Sequence, residues 1–349
     1  MHDFFRPTIQ QMTPYAPGEQ PGGGKLIKLN TNENPYPPSP KVVAAITHAA
    51  QRLERYPDPI GSAFCQRAGE VLGVDPDSIL CGNGSDDILT IVTRAFVGEG
   101  DVLRMPTPSY ILYRTLAQIQ GAEVEEVPFA DDFSLTEQFS APTDRLKLCF
   151  LPNPNSPSGT VLKPQEIEQL ADQLPCPLLV DEAYADFAEF NCLELVARNP
   201  KIMVSRTLSK SYGLAGLRFG FLVAAPELIS TLRQVKDSYN CDALSLAGAT
   251  AAIDDQDWLT ENRKKVLATR AHMVESLRLL GFSVLDSHAN FVWCTHSQPV
   301  QPLYEALKRD GVLVRYMKYA GWGEGLRISV GTDSQIDACL TMLKMHLGM

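Results

Sequence analysis

The sequence predicts an α/β fold: a mostly parallel sheet covered by helices on both faces, followed by a smaller α+β portion. Three observations carry this. Short, unbroken apolar runs such as Pro177-Leu178-Leu179-Val180 alternate with stretches of helical pattern; strands apolar at every position belong to sheets buried on both sides. The helical stretches between them are long enough to return the chain for parallel pairing. At 349 residues the chain also exceeds one simple core, so two lobes are expected.

In chain order, the first 38 residues are rich in Pro, Gly and Asn and read as an irregular arm with a flexible turn at 21–24. Ser39-Pro40 opens a helix through about Arg55, with a capping hydroxyl and a proline in the first turn. A second helix covers Ser62 to Leu72, and after Ile79-Leu80-Cys81 the glycines at 82 and 84 lead into a helix from near Ser85. Strands are expected at 101–105, 123–127, 146–151, 177–181, 201–206 and 219–223, with helices at 109–120, 163–173 and 226–236. Helices at 242–253 and 257–280 follow, then strands near 282–286, 290–295, 312–316 and 326–330. The division falls near 255: residues 56–255 form the large lobe, and 1–55 with 256–349 the small one.

Composition narrows the function. A net charge of −10 with no basic stripe argues against nucleic acid. No apolar run reaches the roughly 18 to 20 residues that span a bilayer, so no membrane partner is expected. The start, Met1-His2-Asp3, lacks the basic and apolar stretches of a secretory signal. The eight cysteines form no C-x-x-C pair and suit buried thiols in the cytoplasm. The six histidines lack ligand spacing, so no metal is expected. No G-x-G-x-x-G follows an early strand, which weighs against a dinucleotide-binding dehydrogenase.

Ligands of open α/β sheets sit beyond the carboxyl ends of the strands, and four segments fall there. Asp181 ends an apolar strand, so it is a paired structural acid or a carboxylate facing a ring nitrogen or a metal. Ser205-Arg206-Thr207-Leu208-Ser209-Lys210, with Arg218 beyond, offers hydroxyls and cations for a phosphate and an amine able to form an imine. Gly82-Asn83-Gly84-Ser85-Asp86 exposes backbone amides at a helix start. Asn153-Pro154-Asn155-Ser156-Pro157-Ser158-Gly159 is a rigid turn able to aim an asparagine at a ligand.

Together and in this order, the four segments resemble fold type I aminotransferases dependent on pyridoxal 5'-phosphate, over nearly the whole chain. The resemblance implies a seven-stranded large domain, with Lys210 as the cofactor-binding lysine and general base. It implies that Asp181 pairs with the ring nitrogen, Tyr184 and Asn155 flank the ring oxygen, and Tyr110 stacks on the ring. Gly84, Ser85, Asp86, Thr207, Ser209 and Arg218 would hold the phosphate, and Tyr56 would reach the neighbouring subunit's phosphate in a homodimer. The family's asparagine lies immediately before its Pro-Ser/Thr-Gly step. Ser156 holds that position here, so Asn155 must swing in or Ser156 serve instead.

A finer resemblance is to the branch that exchanges the amino group of histidinol phosphate with 2-oxoglutarate, giving glutamate, in histidine biosynthesis. It is carried by Thr13-Pro14-Tyr15, Leu29-Asn30-Thr31-Asn32-Glu33-Asn34-Pro35 and Gly325-Leu326-Arg327-Ile328-Ser329. It implies substrate contacts from Tyr15, Asn30, Arg315 and Arg327. The alternatives of the same branch are phenylalanine or tyrosine transamination and, further off, decarboxylation of a phosphorylated threonine.

Overall fold

In a computed structural model of the chain, residues 4–12 and 26–349 are described. Seven strands form one sheet in the order Ile79–Gly82, Gly220–Val223, Ile202–Thr207, Leu178–Asp181, Leu146–Pro152, Val102–Thr107, Glu123–Pro128. The last five run parallel. Gly220–Val223 is antiparallel to both its neighbours. The reason is local: parallel pairing needs a long crossover, usually a helix, and no helix lies between Thr207 and Gly220.

Every residue of Leu178–Asp181, Ile202–Thr207 and Gly220–Val223 is buried. Successive side chains of a strand point to opposite faces, and each face has its own apolar core. One core joins Leu178, Val180, Ile202 and Val204 to the helices Ser62–Leu72, Pro164–Gln173 and Ala243–Asp254 through Phe64, Ile167 and Ala249. The other joins Leu179, Met203, Leu222 and Phe150 to Ser85–Phe96 and Leu112–Gln120 through Ile88, Val92 and Leu116. The sheet is thus held rigid from both sides, and its strand ends are fixed points for functional side chains.

The C-terminal portion is a four-stranded antiparallel sheet, ordered Arg315–Tyr319, Gly323–Ser329, Phe291–Thr295, Ser283–Val284. A separate core of Val266, Met273, Leu277, Val292, Leu326 and Ile336 backs it. Two sequence expectations are corrected. The strand expected at 312–316 is two strands: Val312–Leu313 pairs in parallel with Ile27–Lys28, whereas Arg315–Tyr319 turns into a hairpin with Gly323–Ser329. Gly321 and Gly323, at φ 78° and 79°, let the chain reverse between them. The first helix, expected to join the small lobe, instead packs on the large sheet's core through Val42 and Ile46. It spans Pro40–Ala49, with Ser39 accepting a hydrogen bond from Lys41 N at its start.

Among the described residues no helix is long and apolar enough to cross a membrane, and no cluster of His, Cys, Asp and Glu could hold a metal ion.

Gly220 shows how tightly the sheet abuts the turn before Ser85. A Cβ there would lie 2.6 Å from Ser85 N and 2.8 Å from the Arg206 carbonyl oxygen, both backbone atoms unable to rotate away. Gly220→Ala is expected to lose about 1–3 kcal/mol of stability through overpacking, seen as an earlier urea midpoint. An unchanged midpoint would mean that the turn yields freely.

Candidate active site

The carboxyl ends of the parallel strands open onto a cavity of about 960 Å³. Side chains from the large sheet, the C-terminal sheet and the segment Asn30–Asn32 all line it.

Asp181 is the last residue of Leu178–Asp181 and is buried. Tyr113 Oη donates to its Oδ2 at 2.7 Å and Ser205 Oγ to its Oδ1 at 3.0 Å. Ser205 is there because it is Asp181's register partner on the adjacent strand. Burial pushes the carboxyl up, and the two hydroxyl donors pull it back down. Among the described residues no cation pairs with Asp181, so the site holds a buried acid with donors but no counter-charge.

Lys210 follows the neighbouring strand, and its Nζ donates to the Thr31 carbonyl at 3.2 Å. Its backbone is held from outside: the Asn34 amide donates to the carbonyls of Lys210 (3.0 Å) and Ser211 (2.9 Å). Arg206 stiffens the same loop. Its Nε meets Glu182 Oε2 at 2.8 Å and its Nη1 meets Asp186 Oδ1 at 2.7 Å, and the Ser211 hydroxyl donates to Asp186. Glu182 is buried, which raises its carboxyl, and the charge of Arg206 offsets that.

At the far end of the cavity is a place for an anion. Gly84, at φ 84°, precedes the helix Ser85–Phe96 and offers no side-chain cap, which leaves first-turn amides free to meet a ligand. A Cβ on Gly84 would fall 2.8 Å from Arg218 Nη2. Arg218 Nη1 reaches Ser209 Oγ at 3.4 Å, and Thr207 Oγ1 donates to Ser209 Oγ at 3.0 Å. Arg218 also pairs with Asp86 at 3.3 Å, and Tyr110 donates to the same carboxylate at 3.2 Å. Ser85, Asp86, Tyr110, Thr207, Ser209 and Arg218, all expected from the sequence, therefore line one cavity.

Tyr184 lines it too, accepting from Asn32 Nδ2 at 3.0 Å with its ring edge-on to Phe291. Arg327 Nη1 donates to Ser156 Oγ at 2.9 Å and Nη2 to the Asn30 carbonyl at 3.1 Å. Arg315 is its register partner on the next strand. Both arginines line the cavity, where their guanidinium groups could receive an anion.

Three expectations fare differently. Asn155 does not line the cavity. Its amide is spent on the Pro108 carbonyl (3.2 Å) and Ser158 Oγ (2.9 Å), while Ser156 takes the lining position. The rigid turn sends side chains 155 and 156 in different directions, and of the two it is Ser156 that lines the cavity. Tyr56 is 80% exposed, stacks on Tyr239 with ring centroids 4.6 Å apart, and does not line its own chain's cavity. Tyr15 lies outside the described residues. Conversely, Tyr113 was not singled out from the sequence, and Ser205, Asn32 and Asn34 stood within motif segments without a role of their own. Tyr113 follows Tyr110 by three residues, the spacing of neighbours in a helical turn, a signal that could have found it although Tyr110 precedes the helix Leu112–Gln120; the other three needed the tertiary fold.

Residues 24–343 match the family model for class I and II aminotransferases. The chain is 57% identical over 343 residues to a histidinol-phosphate aminotransferase of Rhodopirellula baltica, covering 97% of this chain and 95% of that protein. It is 44% identical to histidinol-phosphate aminotransferase 1 of Trichormus variabilis, covering 96% of each. Its fold matches the crystal structure of histidinol-phosphate aminotransferase from Sinorhizobium meliloti in complex with pyridoxal-5'-phosphate, with a TM-score of 0.90, 27% identity and 99% and 97% of the two chains covered.

The ion pairs behind Lys210 can be probed without touching the cavity. Glu182→Leu leaves Arg206 with Asp186 alone and is expected to cost about 3 kcal/mol in urea unfolding, since a buried pair has been broken. Adding Arg206→Met should recover a large part of that. A single variant as stable as the parent would show the pair to be dispensable.

Proposed function

Because this chain belongs to the class I and II aminotransferase family, we propose that it exchanges the amino group of histidinol phosphate with 2-oxoglutarate, using pyridoxal 5'-phosphate. The products are imidazole-acetol phosphate and glutamate, and the pathway is histidine biosynthesis. The observation that carries the reading is the convergence in one cavity of an amine, a buried acid without a cation, and an anion cradle.

The residues fit the cofactor on their own terms. A doubly charged phosphate suits the free amides at Ser85 and Asp86 with Ser209, Thr207 and Arg218 around them. Asp181, which lacks a counter-charge, suits a protonated ring nitrogen. Bound there, pyridoxal phosphate supplies an aldehyde to accept the amino group and a ring that delocalises negative charge.

The chain's own residues do the rest. Asp181 would hold a proton on the ring nitrogen by its charge. Tyr110 would stack on the ring, and Tyr184, with Ser156 in place of the expected Asn155, would sit beside its oxygen. Lys210 Nζ would be the general base that moves a proton between the substrate carbon and the cofactor carbon, a role typically contributing about 10²–10⁴-fold. Arg327, assisted by Arg315, receives either the carboxylate of glutamate or the phosphate of the other substrate, because a planar guanidinium forms bidentate bonds with both. Asn30 lines the cavity and would contact the substrate, as would Tyr15.

Tyr56 stands outside its own cavity on an exposed face with Tyr239. We place it against the cofactor phosphate of a second copy, in a homodimer with shared sites. The eight buried free cysteines suit the reducing cytoplasm.

Three experiments test this. A substrate panel of histidinol phosphate, phenylalanine, tyrosine and phosphothreonine should show a strong preference for the first, and Arg327→Ala should lower kcat/KM for histidinol phosphate and glutamate alike. A preference for an aromatic amino acid would move the enzyme to the neighbouring specificity. Lys210→Ala is expected to fold and to lose transamination; turnover at the parental rate would remove Lys210 from the proton transfer.

A further inference from the structure

We propose that Tyr113 is a positioning residue for Asp181, its hydroxyl keeping the carboxylate ionised and aimed into the cavity. The inference rests on the reading of Asp181 given above and adds a residue that neither the motifs nor that reading assigns.

Tyr113 is fully buried in the helix Leu112–Gln120, and Asp181 ends a strand 68 residues further along the chain. A buried phenol must place its hydrogen on an acceptor, and this one is placed on Asp181 Oδ2 at 2.7 Å. The direction of the bond is settled by chemistry. An ionised carboxylate only accepts, and burial together with the charge of Asp181 holds the phenol well above its ordinary pKa, so it stays a donor. With Ser205 on Oδ1, each carboxylate oxygen has a hydroxyl donor, which restricts rotation of the group.

The same side chain supports a second part of the site. The Tyr113 ring meets that of Tyr110 edge-on, with centroids 5.5 Å apart at 86°, and packs on Phe150 from behind at 4.9 Å. Tyr113 thus touches both the acid assigned to the ring nitrogen and the aromatic assigned to the ring face. Removing only its hydroxyl separates these contacts: Phe keeps the packing and strips Oδ2 of its donor. Burial without that donor favours the neutral acid, and a neutral acid no longer holds a protonated nitrogen.

The test is the affinity for pyridoxal phosphate, measured by equilibrium dialysis on the parent, Tyr113→Phe, Asp181→Asn and the double variant. Thermal unfolding of the cofactor-free chains serves as the control for folding. A hydrogen bond to a charged group sets the expected loss for Tyr113→Phe at about tenfold.

Acidity gives a second readout. The titratable and charged groups around Asp181 are Tyr113 and Asp86, the latter also raising it, with Tyr110, Tyr184, Tyr319, Lys210, Lys318, Arg114, Arg218, Arg315 and Arg327 in the same lining. Asp181 must be ionised to bind, and losing a donor raises the pH at which it takes up a proton. On acidification, affinity should therefore begin to fall at higher pH in Tyr113→Phe than in the parent.

If Tyr113 acts through Asp181, the double variant binds as Asp181→Asn does, since coupled residues are non-additive. Parental affinity in Tyr113→Phe, or additive losses in the double variant, would overturn the proposal and leave Tyr113 a packing residue. Parental affinity in Asp181→Asn would instead overturn the reading of Asp181, and the role of Tyr113 with it.

Discussion

A carboxylate held out of water without a cation is the constraint around which this molecule is organised. An ionised acid in a low-dielectric interior is costly unless donors surround it and an opposite charge is supplied. Asp181 has the donors, Tyr113 and Ser205, and they come from two different directions. Among the described residues no opposite charge is paired with it, so a cationic ligand group would complete the site. The strand carrying the acid sits mid-sheet, where neighbours on both sides fix its register.

The rest of the site follows from where parallel strands end. Ile202–Thr207 lies beside Leu178–Asp181, so Ser205 falls opposite Asp181, and the next residues carry Thr207, Ser209 and Lys210 onto the same edge. Arg206 alternates to the other side of the strand and there meets Glu182 and Asp186. One six-residue strand thus supplies a cavity face and a structural face in alternation. The short return to Gly220–Val223, too brief for a crossover helix, brings Arg218 back to the turn before Ser85. A cation is thereby placed at the anion site by chain length as much as by residue choice.

Much of this was legible in the sequence, because strand ends announce themselves. Apolar runs that stop at Asp181 or Thr207 fix both an element and a position at its tip, so Asp181, Lys210, Ser85 and Arg218 could be named with their surroundings. What stayed hidden depends on register or tertiary contact. Ser205 faces Asp181 only once the strands are aligned. The choice between Asn155 and Ser156 turns on how a proline-bounded turn aims two adjacent side chains, which composition does not reveal. The strand expected at 312–316 divides because Val312–Leu313 finds a partner some 285 positions earlier, at Ile27–Lys28. The first helix was misassigned for a related reason: Val42 and Ile46 mark an apolar face but do not say which core receives it.

The segment from Asn30 to Asn34 shows how the two sheets can act as one site. Its contacts to the machinery are made largely by backbone carbonyls: Asn30 O accepts from Arg327, and Thr31 O from Lys210 Nζ. Its side chains add the hold of Asn32 on Tyr184 and of Asn34 on the Lys210 loop. Asn32 itself sits at φ 55°, pinned by Ser329 and by the Asn290 amide. One short segment thus ties the C-terminal sheet, through Arg327, to the lysine and the tyrosine at the edge of the large sheet, so the two sheets' contributions to the cavity are fixed relative to one another by hydrogen bonds to a single backbone stretch.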